Sequence, residues 1–439
     1  MSSAADSDLD NLESLLSANL LLDELNDEAE ADETDLDFLA AFCLGGIEEA
    51  HRFKNNTRYR RYLRRSELMP DPRAEGETPW QRVYASRNDR AFITTMGVDV
   101  ATFDAILTAG FAARWSSQPV QRTDVRPDSS PRPGRRSLDA AGALGLILHW
   151  LSSTMRAISL QEIFALTAAT VDRYIHTALD ILLKTLCDMP DARLAWPTTS
   201  EMRYYSNLIC QRLPLLIGAF GTVDGLNLAV QVSDDDDLEN ATYNGWLHDH
   251  FVSNILAFAP IGIIIWCALN APGSWHDARV AQGLYTLLET RTPPNFYLVA
   301  DSAFPHTARS IQGHIRTPRK ANEPEPTEPR ARRRAQEVNR QLLTCRQSAE
   351  WGMREIQGSF GRLRIPLPIA DADLRFNLLE VIVRMHQLRV RRIGISQIRK
   401  YYVPIWKGDD ELTEVWFHWE EMTFREIRRK DRVARFYRL

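Results

Sequence analysis

Two aspartates follow apolar, strand-like segments, and their carboxylates could take part in metal chemistry. Asp224 follows LLIGAFGTV in the word GTVDG, and Asp301 follows NFYLVA in ADSAFP. Hydrolysis of a phosphodiester with metal ions needs hard oxygen ligands that rigid elements aim at one point. Aspartate is also common in turns, so either residue alone could be a turn former. The pair together favours a metal-dependent site.

The elements that would carry these aspartates are predicted to be short strands followed by long helices. Helical sequence extends from about Ala331 to Leu363. This order predicts an α/β domain over residues 205–395, with a mixed sheet flanked by helices and with acids at strand ends. The predicted strands are β-rich and separated by turn residues: they are Leu215 to Val223, Asn227 to Val232, Phe251 to Phe258, Ile261 to Leu269 and Asn295 to Ala300.

Residues 137–190 are predicted to form three helices. Leu144, Ile147, Leu148 and Leu151 repeat at helical spacing, Ser159 to Glu162 reads as a capping box, and VDRYIHTALDILLK is the third helix. The short middle element resembles a helix-turn-helix, in which the last helix enters the major groove. A three-helix bundle with no nucleic-acid role fits the same periodicity. In the DNA-binding interpretation the outward residues are Thr170, Asp172, Arg173 and His176, and the inward ones are Val171, Ile175 and Leu179.

The rest of the chain is divided by composition and charge. We predict a disordered acidic tail over 1–37, an N-terminal helical region over 38–117, a Pro/Arg-rich linker over 118–136 and a C-terminal extension over 396–439. The formal net charge is −5, yet residues 1–40 hold 13 Asp and Glu and no Lys or Arg. The remainder therefore carries 53 basic against 45 acidic residues, about +8, which suits a polyanionic partner.

Several classes of protein are disfavoured by the composition. The five cysteines are scattered, without the spacing of a zinc site. The apolar run Ile255 to Leu269 is too short to span a bilayer, and the acidic N-terminus is unlike a secretion leader. We expect no membrane association and a location in the nucleus or also the cytoplasm. The basic stretch Arg58 to Arg65 could contact phosphates, direct nuclear import or form a solvated helix face.

Residues 215 to about 390 resemble the catalytic domain of the PIF/Harbinger transposase superfamily, a DDE-type group. The resemblance implies an RNase H-like fold that cuts DNA phosphodiesters, with one acid on the first strand, one on the fourth strand and a glutamate on a later helix. Asp224 and Asp301 take the first two places. The sequence motifs on which the resemblance is based occur in the expected order: VDG (Val223 to Gly225), YNGWLHDH (Tyr243 to His250), APGSWHDARV (Ala271 to Val280), ADSAFP (Ala300 to Pro305) and AEWGMREIQGSFGRLRIPLP (Ala349 to Pro368).

The third acid has two candidates. Many relatives carry Glu three residues before the Phe-Gly pair, where this chain has Gln357. Glu350 lies seven residues earlier, on nearly the same helix face, and 48 residues separate it from Asp301, a distance compatible with this group. Glu355 is the reserve candidate, about 140° from Glu350 around the helix. We favour Glu350.

Asp277 is a further acidic residue that could belong to the site. It follows His276 at the expected start of a helix, where an aspartate stabilises free backbone N–H groups. Alternatively, it serves as an additional metal ligand, or acts with His276 to orient a scissile phosphate.

The resemblance implies that Asp224, Asp301 and Glu350 hold two Mg²⁺ or Mn²⁺ ions and that the substrate is duplex DNA, such as terminal inverted repeats. It also implies a homo-oligomer and a separate Myb/SANT-like DNA-binding partner. Two other interpretations stay open: a domesticated, inactive DNA-binding protein, motivated by Gln357, and a general metal-dependent nuclease acting in repair or on RNA. Basic side chains expected to grip phosphates are Arg316, Arg319, Lys320, Arg333 and Arg354.

Overall fold

The computed structural model describes residues 78–120, 130–304, 311, 313–319 and 326–403. The predicted acidic tail, the Arg58 to Arg65 stretch, Lys320 and the extension beyond residue 403 lie outside the described residues. Of the predicted N-terminal helical region, only the part from residue 78 onward is described.

A mixed β-sheet forms the centre of the part of the chain from about residue 199 onward. Its strands are β1 (Ala219–Ala229), β2 (Tyr243–Asn244), β3 (Asp249–Phe258), β4 (Ile264–Pro272), β5 (Tyr297–Ala300) and β6 (Ile315–Arg316). The order across the sheet is β4–β3–β1–β5–β6, and β2 pairs with the start of β3. The strands β3 and β4 run antiparallel to their neighbours, whereas β1, β5 and β6 are parallel. This mixed sheet is consistent with the expected RNase H-like domain.

The strands β1 and β5 alternate their side chains between two cores. Val223 and Leu298 face the core that contains Met202, whereas Leu226 and Val299 face the other core. This period of two is the geometry of a strand buried on both faces.

Helices cover both faces of the sheet. The helix α8 (Thr199–Arg212) begins with a capping box formed by Thr198 and Glu201 and packs against β1. The other helices of this part of the chain are α9 (Asp236–Thr242), α10 (Asp277–Val280), α11 (Gln282–Arg291), α12 (Pro329–Ser359), α13 (Ala372–Leu388) and α14 (Gln397–Tyr402).

The long helix α12 crosses the sheet and carries the predicted third acid. Its buried residues, among them Leu342, Cys345, Ala349 and Ile356, recur at helical spacing and pack on β1, β3 and β5. Gly352 permits a close approach, because a Cβ atom there would lie 2.7 Å from the Phe258 ring.

Helices also occupy the described residues before the sheet. They are α1 (Pro79–Ser86), α2 (Asp89–Met96), α3 (Val100–Ile106), a π-helical turn over Leu107–Phe111, and α4 (Ala112–Ser117). Aromatic side chains pack within and around these helices: Phe92 meets Phe103 edge-on at 5.4 Å, and Trp80 stacks at 5.4 Å on Phe164, which lies farther along the chain.

The three helices predicted over 137–190 are α5 (Ala140–Ser152), α6 (Ala157–Phe164) and α7 (Ala168–Asp188). Leu144, Ile147, Leu148 and Leu151 are buried, as the periodicity predicts. The predicted capping box at Ser159 is wrong: the N-cap of α6 is Arg156, three residues earlier, so Ser159 already lies inside the helix.

The helices α5 to α7 share their core with the sheet. The helix α7 packs against both α5 and α13, and Arg362, which follows α12, lies over the Trp150 ring at 4.4 Å. Leu182 of α7 and Val299 of β5 belong to the same cluster of buried side chains. These helices are therefore fixed against the domain that carries the acids.

Across the residues the structure describes, no single helix is long and apolar enough to cross a membrane, although the bent pair Asp89–Met96 and Val100–Ser117 meets that criterion when taken together.

Candidate metal-dependent active site

Asp224 lies inside a strand. Its backbone pairs with Leu256 of β3, and its Oδ1 accepts a hydrogen bond from the Gly225 N–H at 2.9 Å. The sequence prediction that the strand ends at Val223 and a new one begins at Asn227 is wrong, because the pairing with β3 runs unbroken from Thr222 to Ala229. A turn-forming role for Asp224 is thereby removed.

Asp301 follows the last residue of β5. The parallel pairing of β1 with β5 sets Val223 opposite Ala300, so the residues that come next, Asp224 and Asp301, lie side by side. Because the adjacent residue Val223 faces the opposite core, Asp224 is directed towards α12. Two elements thus bring their carboxylates to one face of the sheet.

Glu350 reaches the same place from α12. Arg346, one turn earlier on this helix, contacts all three acids: its Nη2 lies 2.9 Å from Glu350 Oε1, and its Nη1 lies 3.7 Å from Asp224 Oδ2 and 3.8 Å from Asp301 Oδ1. Three carboxylates from three elements therefore surround one guanidinium group. We call Asp224, Asp301, Glu350 and Arg346 the acid cluster.

Burial sets the electrostatics of the acid cluster. The Asp224 side chain is 18% exposed, and its desolvation raises the pKa of that carboxyl to about 6. The Gly225 N–H and Arg346 lower this pKa, whereas the nearby Asp301 and Glu350 raise it. A buried carboxylate with like charges beside it is costly unless a cation is present.

Asp277 borders the acid cluster. Its carboxylate oxygens lie 3.0 to 3.2 Å from the position a Cβ would take at Gly225, so the glycine leaves room for them. Burial first, and Asp301 to a lesser degree, raise the pKa of Asp277. The predicted capping role is wrong in one respect: the side chain that accepts from the first turn of α10 is His276, whose Nδ1 accepts from the Ala278 N–H at 3.3 Å.

Glu355 lies away from the acid cluster. Its Oε2 accepts from the Gln397 N–H at 3.1 Å, and its burial between α12 and α14 raises its pKa. Arg389 and Lys400 are its charged neighbours. Gln357 lies two helical turns beyond Glu350. Of the two candidates for the third acid, Glu350 is the one that the structure brings to Asp224 and Asp301.

The residues predicted to contact DNA fall in two groups. On α7, Val171, Ile175 and Leu179 are buried, whereas Arg173 and His176 are partly exposed. Thr170 contacts the Thr167 hydroxyl at 2.9 Å, and His176 lies 3.4 Å from Asp172.

The second group lies on the sheet domain. Arg316 is on β6, with its guanidinium over the Tyr297 ring at 3.9 Å. The Arg319 N–H donates to Asn339 Oδ1 at 2.7 Å. Arg333 and Arg354 are exposed on α12.

The donor set of the acid cluster suits a divalent cation. Carboxylates are the hard oxygen ligands that Mg²⁺ prefers, and here a strand, a strand end and a long helix hold them. As they stand, the described residues include no group of three His, Cys, Asp or Glu side chains at metal-holding separation. The suitability of the acid cluster for a divalent cation is therefore inferred from its oxygen donors and from their convergence around Arg346.

Sequence reasoning missed two residues of this site, Arg346 and Gly225. An arginine four residues before a glutamate on one helix is a recognisable ion-pair spacing, which could have drawn attention to Arg346. No local signal indicates that the same arginine reaches Asp224 and Asp301, since that depends on how α12 crosses the sheet.

Comparison with known proteins agrees with the geometry. Residues 223–387 match a family described as DDE superfamily endonuclease. The match begins one residue before Asp224 and extends past Asp301 and Glu350. No curated protein and no solved structure matched the chain. The similarity covers 165 of the 439 residues, and DDE superfamily endonucleases as a class generally use divalent metals and bind DNA.

Proposed function

We propose that this chain is a PIF/Harbinger-type transposase endonuclease that cuts DNA phosphodiester bonds at the ends of a mobile element. The observation that carries the proposal is the convergence of Asp224, Asp301 and Glu350 on one guanidinium group. The match of residues 223–387 to DDE superfamily endonucleases supports it. Because the proposed substrate is chromosomal DNA, we also propose that the protein acts in the nucleus.

The three carboxylates would hold two Mg²⁺ or Mn²⁺ ions, with Asp277 near enough to support them. When bound, such ions would activate the attacking water or DNA 3′-hydroxyl and stabilise the leaving oxygen. The chain's own contribution is to fix the three oxygen donors on rigid elements, and β1 and α12 do this through their buried side chains.

The exposed basic groups would hold the DNA. Arg333 and Arg354 lie on the helix that carries Glu350, and Arg316 is on the edge strand β6. Contacts of this kind grip phosphates without reading sequence, so binding would weaken strongly with salt. Thr170, Arg173 and His176 at the start of α7 would supply base contacts if that helix enters the major groove. A Myb/SANT-like partner and a homo-oligomer belong to the same proposal.

The test is Mn²⁺-dependent nicking of duplex DNA by the wild-type protein and by Asp301→Asn. Loss of one metal ligand should reduce the rate by about a hundredfold or more, because losing an outer-shell partner alone costs about 10–100-fold. Asp234→Asn is the matched control, since Asp234 is an exposed aspartate before α9. Equal nicking by the wild type and Asp301→Asn would end the catalytic assignment.

A second candidate function is an inactive, domesticated DNA-binding protein. Gln357 favours it, because many relatives carry Glu at that position. The same assay separates the two: wild-type protein that binds DNA but does not nick it in Mn²⁺ supports the second candidate.

A further inference from the structure

Arg346 is a partly buried cation at the place where the proposed metal ligands meet. Its side chain is 25% exposed, compared with 45% for Asp301 and 38% for Glu350. The residue lies one turn before Glu350 on α12, so the backbone of a well-packed helix holds both ends of that ion pair. The proposed metal chemistry does not use this arginine.

The contacts of Arg346 are unequal. The contact with Glu350, at 2.9 Å, has the length of a charge-assisted hydrogen bond. The contacts with Asp224 and Asp301, at 3.7 and 3.8 Å, are ion pairs without a hydrogen bond. The guanidinium is therefore anchored on its own helix, while its interactions with Asp224 and Asp301 are those of charge alone.

We propose that Arg346 is an internal counter-ion that holds the acid cluster together without a divalent cation and competes with that cation for Asp224 and Asp301. The inference rests on the proposed function, since it takes these carboxylates to be metal ligands. Binding a cation would replace the two longer contacts, so the Arg346 guanidinium would withdraw from Asp224 and Asp301 while Glu350 stays among the ligands. The guanidinium thereby weakens metal binding, and in the absence of metal it offsets the repulsion among the three carboxylates.

The counter-ion role makes opposite predictions for stability and for metal affinity. Removing the positive charge leaves Asp224 and Asp301 without their cation, so the metal-free protein should be less stable. The same removal abolishes the competition, so Mn²⁺ should bind more tightly. We expect Arg346→Gln to tighten Mn²⁺ binding by about tenfold, within the range of 5–150-fold that is typical of coupled binding. A merely structural arginine would weaken both properties when replaced.

The experiment is calorimetric titration of the full chain with Mn²⁺, together with thermal unfolding with and without the ion. The variants are Arg346→Gln, Arg346→Lys and Arg340→Gln. Lysine keeps the charge but not the planar fork, so Arg346→Lys should bind Mn²⁺ with an affinity between those of the wild type and Arg346→Gln. Arg340→Gln is the matched control, because Arg340 lies on the same helix and pairs with Glu337. Its Mn²⁺ affinity should equal that of the wild type.

The decisive result is the direction of the affinity change. Tighter Mn²⁺ binding by Arg346→Gln, with a lower melting temperature for its metal-free form, supports the counter-ion. Equal or weaker binding by a folded Arg346→Gln overturns it. If that variant does not fold, Arg346→Lys decides the matter, and affinity equal to or below that of the wild type overturns the proposal.

Adding Asp301→Asn to the wild type and to Arg346→Gln separates this inference from the proposed function. Where Asp301→Asn abolishes Mn²⁺ binding in both but Arg346→Gln binds no more tightly, only the counter-ion fails. Where Mn²⁺ binding survives Asp301→Asn in both, the ion is bound elsewhere and both proposals fail. Absence of Mn²⁺ binding in every protein likewise overturns both.

Discussion

At the scale of single residues, the environment of each glutamate on α12 determines its role. Glu350 and Glu355 are five residues apart and point in different directions around the helix. Glu350 meets Arg346 beside two aspartates, whereas Glu355 is partly buried and accepts from the Gln397 N–H. Glu350 lies beside the other two proposed metal ligands, and Glu355 joins α12 to α14.

The two glutamates should therefore respond differently to the same substitution. Glu350→Gln should reduce Mn²⁺-dependent nicking by about a hundredfold or more, because a metal ligand is lost. Glu355→Gln should leave nicking nearly unchanged and alter the free energy of unfolding by about 1 kcal/mol or less, since the amide oxygen can still accept from Gln397. Nicking rates and urea unfolding measure both effects. The assignment of Glu350 fails if Glu355→Gln is the more damaging to nicking.

The two aspartates and the preference for Glu350 over Glu355 could be predicted from the sequence, mostly because short motifs resemble those of a known family. Asp224 and Asp301 were expected at strand ends, yet Asp224 lies inside β1 because pairing with β3 overrides the turn preference of Asp-Gly. Arg346 could not be identified as a contact of Asp224, since 121 residues separate the two in the chain. Such contacts depend on the tertiary arrangement.

At the scale of elements, the helix α12 sets the position of both Arg346 and Glu350. It can lie close to β3 because Gly352 has no side chain: a Cβ there would meet the Phe258 ring at 2.7 Å. Farther along the same helix, a Cβ at Gly358 would have only Arg364 Nη2, at 3.9 Å, within contact distance. An alanine side chain would therefore clash with Phe258 at position 352 but would have room at position 358.

Alanine at these positions should change stability in opposite directions. Gly352→Ala should lower the free energy of unfolding by about 1–3 kcal/mol, because the helix must move away from the sheet. Gly358→Ala, the control on the same helix, should raise it by about 0.5–1 kcal/mol, because alanine is the better helix former. Urea unfolding gives both values. Equal stability of the two variants would contradict the close packing of α12 on β3.

Strand and helix types were more predictable than their ends. The segments around Phe251 to Phe258 and Asn295 to Ala300 are strands, as alternation and β-rich composition predict. The predicted start of α6 is wrong by three residues, because Ser159 is a residue type that commonly caps helices but the residue that precedes the helix is Arg156. Whether α7 acts as a recognition helix stays a prediction.

At the scale of the whole molecule, buried polar groups connect the helical residues to the sheet domain. Arg389, at the end of α13, donates to the Gly97 carbonyl after α2. The neighbouring His386 contacts the Gly262 carbonyl through Nε2 at 3.1 Å and is 1% exposed. Burial lowers the pKa of His386 to about 4, and Arg389 contributes in the same direction, whereas the Gly262 bond raises it.

His386 should make folding sensitive to acid. In the unfolded chain its pKa is about 6.5, so as the pH falls below that value the unfolded state takes up the proton first, and stability is lost progressively towards pH 4. Between pH 7 and pH 5, the wild type should lose roughly 2 kcal/mol more unfolding free energy than His386→Gln, whose amide does not titrate. Urea unfolding at the two pH values measures the difference, and equal losses would show that His386 is not buried in its neutral form.

The central claim is that Asp224, Asp301 and Glu350 share divalent cations, and anomalous diffraction from crystals containing Mn²⁺ tests it most directly. The account predicts anomalous density among these three carboxylates, with oxygen atoms at about 2.1 Å and the Arg346 guanidinium withdrawn from Asp224 and Asp301. Crystals that bind Mn²⁺ only elsewhere, with Arg346 still among the acids, would contradict it.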